Sequence, residues 1–189
     1  MTDTAGHSFG PSALATPANA LTVARLLAAP VFVAVILNRG ASWWTVAVGA
    51  IVAGTDGADG WIARRQGTTR SGAFLDPLAD KVVVLSALFL LSYLHTLPWF
   101  PVVLIGAREF LMSVYRAWIG RHGVSIPARG SAKIKTLVQD LAIAACLIPP
   151  LAPRHTLQLV MIWVAAAITI FTGLQYLIDG RRAARSEPA

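Results

Sequence analysis

Six apolar segments, each about 19–24 residues long, constrain this chain more than any other feature of its sequence. A helix rises 1.5 Å per residue, so about 20 apolar residues cross the ~30 Å hydrocarbon core of a bilayer. Breaks such as Asn38-Arg39-Gly40, Leu97-Pro98 and Pro149-Pro150 separate the segments. The sequence therefore predicts an all-α integral membrane protein with six transmembrane helices, at 20–38, 43–64, 72–95, 98–120, 133–151 and 156–178.

Composition agrees with this fold class. Of the 189 residues, 56% are hydrophobic and only 13% are charged, so a soluble domain of this kind would lack polar surface. The length fits a single domain, which we place at residues 17–180. Residues 1–16 are predicted to be a disordered N-terminal tail, and residues 181–189 a polar C-terminal tail. The only cysteine, Cys146, lies in an apolar run and is expected in the core.

The distribution of Lys and Arg predicts the orientation in the membrane. If both termini are cytoplasmic, 13 of the 16 basic residues lie on the cytoplasmic side, Arg39 and Arg154 lie outside, and Arg108 lies near mid-helix. The expected location is therefore the cell membrane, as a multi-pass protein. The net charge of +7 does not form a patch interleaved with aromatic residues, so no nucleic-acid partner is expected.

Four aspartates interrupt the apolar pattern of the second and third segments. Asp56 and Asp59 are three residues apart, and Asp76 and Asp80 are four apart, so each pair shares one face of a helix. A carboxylate at bilayer depth costs about 2.5–3.5 kcal/mol, and few basic residues are nearby to compensate. Carboxylate oxygens suit Mg²⁺ or Mn²⁺, with water and substrate phosphate as further ligands. Two facing pairs predict a site for two ions, in the cytoplasmic half of the membrane.

The residues around these aspartates form an extended motif. Asp56-x-x-Asp-Gly-x-x-Ala-Arg64 is followed, after seven residues, by Gly72-x-x-x-Asp-x-x-x-Asp80. This pattern resembles the signature of the CDP-alcohol phosphatidyltransferases, a family of integral membrane enzymes, in which the gap before the second glycine is usually about eight residues. The likeness extends from about residue 19 to the last apolar segment.

The resemblance implies a role for each residue of the motif. Asp56, Asp59 and Asp76 would bind metal, and Asp80 would both bind metal and act as the catalytic base. A cytidine nucleotide would be surrounded by further motif residues. These are Asp59, Gly60, Ala63, Arg64 and Gly72. The small residues would give the nucleotide space, and Arg64 would offer a fork of donors. The resemblance also implies a homodimer.

A second group of basic residues lies in the fourth segment, the following loop and the start of the fifth. It comprises Arg108, Arg116, Arg129, Lys133 and Lys135. Cations within apolar helices need anionic partners, and Glu109 can neutralise only one of them. We therefore expect this group to bind the phosphate of an acceptor substrate.

The sequence around Arg108 and Asp80 is similar to the phosphatidylglycerophosphate synthase branch of the family. That likeness implies transfer of a phosphatidyl group from CDP-diacylglycerol to sn-glycerol 3-phosphate, releasing CMP. Another acceptor, such as phosphatidylglycerol (a cardiolipin synthase) or inositol phosphate, remains open. So does a divalent-cation transporter, although the apolar run 82–91 offers no continuing polar pathway. A non-catalytic scaffold gives no reason for the aspartates, and the role of Asp140 is open.

Overall fold

A computed structural model of the protein describes residues 17–66, 72–121 and 131–186, with the side chains of residues 26–54, 81–115 and 134–179. The described residues form six α-helices and contain no strand, which confirms the all-α prediction. The helices are α1 Pro17–Arg39, α2 Trp43–Gln66, α3 Gly72–Tyr93, α4 Trp99–Arg121, α5 Ser131–Leu147 and α6 His155–Ser186.

These bounds agree with the six predicted segments to within four residues, except at one end. Helix α6 continues to Ser186, into the stretch predicted as a polar C-terminal tail. The predicted N-terminal tail, residues 1–16, lies outside the described residues. Because proline and glycine mark most of the breaks, the segment boundaries could be read from local chemistry alone.

The first break is a capped turn. Gly40 adopts the left-handed conformation with φ of 55°, and its N–H donates to the Ile36 carbonyl at 2.9 Å. Glycine allows this geometry without a side-chain clash, which is why it ends α1. Ser42 then caps α2, because its hydroxyl accepts from the Thr45 N–H at 3.2 Å. The Thr45 hydroxyl closes the turn by donating to the Gly40 carbonyl at 2.8 Å.

Helix α3 lies at the centre of the packing, with α1, α4 and α5 against it. Helix α2 packs on α1 and α5, while α6 packs on α5 and α4. Two glycines bring helices close together: a Cβ at Gly49 or at Gly106 would lie 3.1 Å from the rings of Phe32 and Phe89, respectively. Cys146 is buried in the core, as predicted.

The apolar character of the helices is visible on their outer faces. Phe100 and Phe110 of α4 are 68% and 69% exposed, and large apolar side chains also project from α1 and α6. Within the part of the chain that the structure describes, His155–Asp179 is the one segment long and apolar enough to cross a membrane. Shorter apolar helical stretches occur at Leu26–Arg39, Trp43–Gly54 and Lys81–Tyr93. Six membrane spans, and the orientation of the termini, remain predictions.

Candidate active site

The four aspartates lie on two helices, as the spacing predicted. Asp56 and Asp59 are in α2, and Asp76 and Asp80 are in α3. Gly60, Ala63 and Arg64 follow in α2, and Gly72 is the first residue of α3. The side chains of all these residues lie outside the described set, so their assigned roles remain predictions. Among the side chains that are described, no group of three or more metal-ligating residues occurs.

A cavity of about 260 Å³ lies next to the aspartate-bearing stretches. Its walls come from α2, α3 and α5, with Phe32 of α1, and they are mainly apolar. On α2, Val52 and Ala53 line the cavity three to four residues before Asp56. On α3, Val83 and Val84 line it three to four residues after Asp80. Since residues three or four apart share a helix face, both aspartate pairs continue the helix faces that form this cavity.

Helix α5 contributes the polar part of the cavity wall. Thr136 and Asp140 line the cavity together with Ile143, Ala144 and Leu147. The spacing of 136, 140, 143, 144 and 147 is that of one helical face. The structure thus places Asp140, whose role the sequence left open, on the face of α5 that meets α2.

Near the start of α5, a buried carboxylate of α4 joins three cations. Glu109 of α4 is 3% exposed. Its Oε1 accepts from Lys135 of α5 and from Arg108 Nη1 at 3.0 Å. Its Oε2 lies 3.6 Å from Lys81 Nζ of α3. We call Glu109, Lys81, Arg108 and Lys135 the Glu109 cluster. A carboxylate buried at this depth requires such partners, because an isolated charge would be very costly.

Helix α6 completes the surroundings of Arg108. The Arg108 Nη2 donates to the Thr172 hydroxyl at 3.2 Å. The next residue, Gly173, leaves room for the guanidinium, since a Cβ there would lie 2.9 Å from Arg108 Nε. Arg108 is therefore held by a carboxylate on one side and by a hydroxyl and a side-chain-free backbone on the other.

Lys81 is held by α4 as well. Its ammonium donates to the Ser113 hydroxyl and to the Glu109 carbonyl oxygen at 3.4 Å. Ser113 in turn donates to the same carbonyl at 2.7 Å. Because Lys81 directly follows Asp80, the Glu109 cluster is connected to the aspartate-bearing end of α3 through one peptide bond.

The structure brings together two of the five residues predicted to bind the acceptor phosphate. Arg108 and Lys135 both contact Oε1 of Glu109. Arg116 lies in α4 and Lys133 in α5, but their side chains are outside the described set. Arg129 lies outside the described residues altogether. The role of all five in acceptor binding stays a prediction.

Sequence reasoning did not assign Lys81, Ser113, Thr172 or Gly173 to the site. For Lys81 a signal was present, since a lysine directly after a predicted catalytic aspartate in an apolar helix needs an anionic partner. Ser113 lies four residues after Glu109, on the same face of α4. For Thr172 and Gly173 we find no such signal, because only the packing of α6 against α4 brings them to Arg108.

The charges of this cluster favour an anionic ligand. Arg108 and Lys135 carry two positive charges against the single negative charge of Glu109, all in a largely buried setting. Hydrogen bonds from charged donors to phosphate are short and about twice as strong as neutral ones. Together with four carboxylates within about two helical turns of an apolar cavity, the arrangement suits a substrate with phosphate groups and hydrocarbon chains.

Comparison with known proteins agrees with this chemistry. A family model described as CDP-alcohol phosphatidyltransferase matches residues 15–171. A Mycobacterium tuberculosis protein named "Probable phosphatidylglycerophosphate synthase" is 38% identical over 185 residues, which cover 94% of this chain and 87% of the relative. Proteins of Salmonella typhimurium and Shigella flexneri, named CDP-diacylglycerol–glycerol-3-phosphate 3-phosphatidyltransferase, are both 36% identical, over 85% of this chain and 92% of each relative.

The matched region includes both aspartate-bearing stretches, the apolar cavity and the Glu109 cluster. The resemblance inferred from the motif alone is thereby confirmed. The chain belongs to the CDP-alcohol phosphatidyltransferase family, whose members are membrane enzymes.

Proposed function

We propose that the protein transfers the phosphatidyl group of CDP-diacylglycerol to the hydroxyl of sn-glycerol 3-phosphate, giving phosphatidylglycerophosphate and CMP. The observation that carries this proposal is the Glu109 cluster, a buried group of cations connected to Asp80 through Lys81. A phosphate-bearing acceptor would find charged donors there and would add negative charge to a group in which three cations share one carboxylate, whereas a neutral alcohol would add none. The names of the similar proteins support the same pair of substrates.

The donor lipid would occupy the region between α2 and α5. The cavity there is lined by Val46, Ala50, Val52 and Ala53 on α2 and by Ile143, Ala144 and Leu147 on α5. Such walls suit a hydrocarbon chain, because apolar surface gains free energy when it leaves water. Helix register would place the pyrophosphate one turn beyond Ala53, level with Asp56 and Asp59.

The four aspartates fit a divalent-metal site by the chemistry of their donor set. Two pairs of carboxylates offer hard oxygen ligands, which Mg²⁺ and Mn²⁺ prefer over nitrogen or sulfur. We assign Asp56, Asp59, Asp76 and Asp80 as the ligands of two ions. Bound divalent ions would supply charge neutralisation around the pyrophosphate and stabilise the negative charge that builds up on phosphorus.

The remaining steps belong to the residues of this chain. Gly60, Ala63, Arg64 and Gly72 would surround the cytidine nucleotide, with Arg64 donating to its phosphates or base. Asp80 would accept the proton of the acceptor hydroxyl. That oxygen forms a bond to the phosphorus of the phosphatidyl group, the bond from this phosphorus to the CMP oxygen breaks, and CMP leaves with the electron pair.

The acceptor phosphate would be bound by Arg108, Arg116, Arg129, Lys133 and Lys135. Arg108 and Lys135 are the two for which contacts support this assignment, since both converge on one carboxylate oxygen. Binding at this position would hold the acceptor hydroxyl between the cations and the start of α3. Holding two reactants in this way is a major source of rate enhancement in enzymes that transfer phosphoryl groups.

We also propose six membrane spans, cytoplasmic termini, an active site facing the cytoplasm and a homodimer. The outward apolar side chains of α1, α4 and α6 support embedding in lipid. Trp43 and Trp44, 65% and 63% exposed at the start of α2, suit an interfacial belt at the membrane face opposite the aspartates.

An acceptor panel tests the proposed reaction. Purified protein in detergent would be given CDP-diacylglycerol, Mg²⁺ or Mn²⁺, and sn-glycerol 3-phosphate, phosphatidylglycerol, inositol phosphate or glycerol, and CMP release would be measured. We expect release with sn-glycerol 3-phosphate and its loss when EDTA removes the metal. Faster release with another acceptor would overturn the acceptor assignment. Metal uptake into proteoliposomes, without CMP release from any acceptor, would instead favour the transporter.

A further inference from the structure

The carboxylate of Glu109 contacts cations from three helices, and each of its two oxygens contacts different ones. Oε1 meets Arg108 of α4 and Lys135 of α5, both assigned above to the acceptor phosphate. Oε2 faces Lys81 of α3, the neighbour of Asp80 in sequence. One carboxylate therefore lies between the proposed acceptor site and the helix that bears the proposed base.

We propose that Glu109 is a positioning residue, which fixes the acceptor-binding cations relative to Asp80 without contacting either substrate. This inference rests on the proposed function, because it assigns Glu109 to the binding of sn-glycerol 3-phosphate. The acceptor phosphate would accept from N–H groups of Arg108 and Lys135 other than those donated to Glu109 and Thr172, so that each cation is shared between a fixed carboxylate and the ligand.

The packing of the helices gives Glu109 a connecting position. Helices α4 and α5 both pack mainly on α6, α4 also packs on α3, and α4 and α5 have little direct backbone contact with each other. Lys135 and Arg108 are thus carried by helices joined mainly through α6, and their ammonium and guanidinium groups meet at Glu109. The contact of Glu109 with Lys81 adds the third helix, α3, to the same network.

Electrostatics leads to the same conclusion. Arg108 and Lys135 approach the same oxygen, so they lie close enough to repel each other strongly in an interior of low dielectric constant. Without the negative charge of Glu109 the two cations would move apart. The acceptor phosphate would then have to bring the two cations together as it binds, and the free-energy cost of doing so would lower its affinity.

The contacts around the cluster restrict the cations further. Thr172 and the missing side chain of Gly173 hold Arg108 from α6. Ser113 and the Glu109 carbonyl oxygen hold Lys81 from α4. Arg108 and Lys81 therefore each have further hydrogen-bond partners of their own, whereas Lys135 is positioned by its place on α5. Glu109 is the partner that all three cations share. Its loss should disturb acceptor binding more than it disturbs the fold.

Steady-state kinetics with both substrates varied separately would test this role. We expect Glu109→Gln to raise the KM for sn-glycerol 3-phosphate about tenfold or more, since a charged hydrogen-bond partner is lost. The KM for CDP-diacylglycerol should stay within about twofold, because no residue of the Glu109 cluster lines the cavity. Glu109→Asp, which keeps the charge, should recover part of the acceptor affinity.

Gln139→Met provides the matched control. Gln139 is 3% exposed, lies one turn after Lys135 on α5, and donates to the Thr169 hydroxyl of α6 at 3.0 Å. The substitution removes a buried polar contact close to the cluster and leaves Glu109 in place. We expect a lower melting temperature and unchanged KM values for both substrates. If Gln139→Met reproduces the selective rise in acceptor KM, Glu109 has only a structural role.

A double substitution keeps the test decisive if Glu109→Gln does not fold. Glu109→Gln with Lys135→Met removes one negative and one positive charge together, so the excess of buried positive charge does not grow. Its acceptor KM should be close to that of Lys135→Met alone, because each substitution disrupts the same unit. An acceptor KM far above that of Lys135→Met alone would overturn the inference. A wild-type protein that releases no CMP with sn-glycerol 3-phosphate would refute the proposed function instead, which distinguishes the two failures.

Discussion

The two halves of α5 meet very different surroundings. In its first half, Lys135 and Gln139 contact buried polar groups of α4 and α6. In its second half, Ile143, Ala144 and Leu147 line the apolar cavity shared with α2. Helix α3 repeats this division, since Lys81 faces Glu109 while Val83 and Val84 line the cavity. Two helices therefore separate a polar region from an apolar one within a few residues of each other.

This division shows how one small helical bundle can bind two substrates of different polarity. A lipid with hydrocarbon chains and a small phosphorylated alcohol need opposite environments, and the cavity and the Glu109 cluster provide them. The two regions approach each other on α3, where Asp80 directly precedes Lys81 and lies three to four residues before the Val83–Val84 wall. Substitutions should thus affect one substrate or the other, except at this junction.

The largest effect is expected at the junction itself. Asp80→Asn removes the proton acceptor and one proposed metal ligand while keeping the side-chain volume. We expect CMP release to fall about 10²- to 10⁴-fold, the usual contribution of a general base, with either substrate saturating. Turnover at varied concentrations of both substrates is the measurement, and gel filtration with an unchanged melting temperature would confirm the fold. Turnover within a few-fold of wild type would remove Asp80 from the role of base.

A smaller and selective effect is expected in the polar region. Lys135→Met keeps the length of the side chain and removes its charge. A hydrogen bond to a charged group contributes about 1.5–3 kcal/mol, so the KM for sn-glycerol 3-phosphate should rise about 10- to 150-fold. Glu109 retains Arg108 and Lys81 as partners, which should preserve the fold. An equal rise in the KM for CDP-diacylglycerol would contradict the separation of the two regions.

The reciprocal test fills the apolar region. Ala53 and Ala47 are both exposed residues of α2, but only Ala53 lines the cavity. Ala53→Leu should raise the KM for CDP-diacylglycerol about fivefold, corresponding to ~1 kcal/mol of overpacking, and leave the acceptor KM unchanged. Ala47→Leu adds the same side chain to the outer face and should change neither value. If both variants behave alike, the cavity does not receive the donor lipid.

These regions differ in how far the sequence predicts them. Helix ends followed from Gly40, Pro98 and Pro149, because turn chemistry is local. The grouping of Asp56 with Asp59 followed from helical spacing, which is also local. The meeting of Lys81, Glu109 and Lys135 did not, since their sequence separations of 28 and 26 residues carry no periodic signal. Which helices are neighbours is decided by side-chain packing across the whole bundle.

Glu109 and Asp140 both show that the sequence did not predict the surroundings of an acidic side chain inside the bundle. The sequence indicated that Glu109 could neutralise one cation, but the structure gives it three partners. Asp140 had no interpretation, and the structure places it on the cavity wall one turn after Thr136. In both cases an acidic residue within an apolar helix predicted a polar contact inside the bundle. The partner, and therefore the chemistry, depended on the rotation of each helix about its axis, which apolar segments of this kind leave undetermined.

The smallest expected effect concerns the way α6 shapes the polar region. At Gly173 an added Cβ would lie 2.9 Å from Arg108 Nε, too close for both atoms to keep their positions. Gly173→Ala should push the guanidinium away from Thr172 while leaving every charge in place. A side chain forced about 30° from its rotamer costs about 0.5–1.5 kcal/mol, so we expect the KM for sn-glycerol 3-phosphate to rise about threefold.

Gly54 supplies the control for this substitution, since a Cβ there would meet no atom within 4 Å. Gly54→Ala should leave both KM values unchanged and, by favouring the helical backbone, raise the melting temperature slightly. If Gly173→Ala instead changes the KM for CDP-diacylglycerol, the position of Arg108 matters to the donor, and α5 does not separate the two substrates. If it changes neither KM, the contact between Arg108 and α6 supports the fold alone, and the acceptor phosphate depends on Arg108 less than on Lys135.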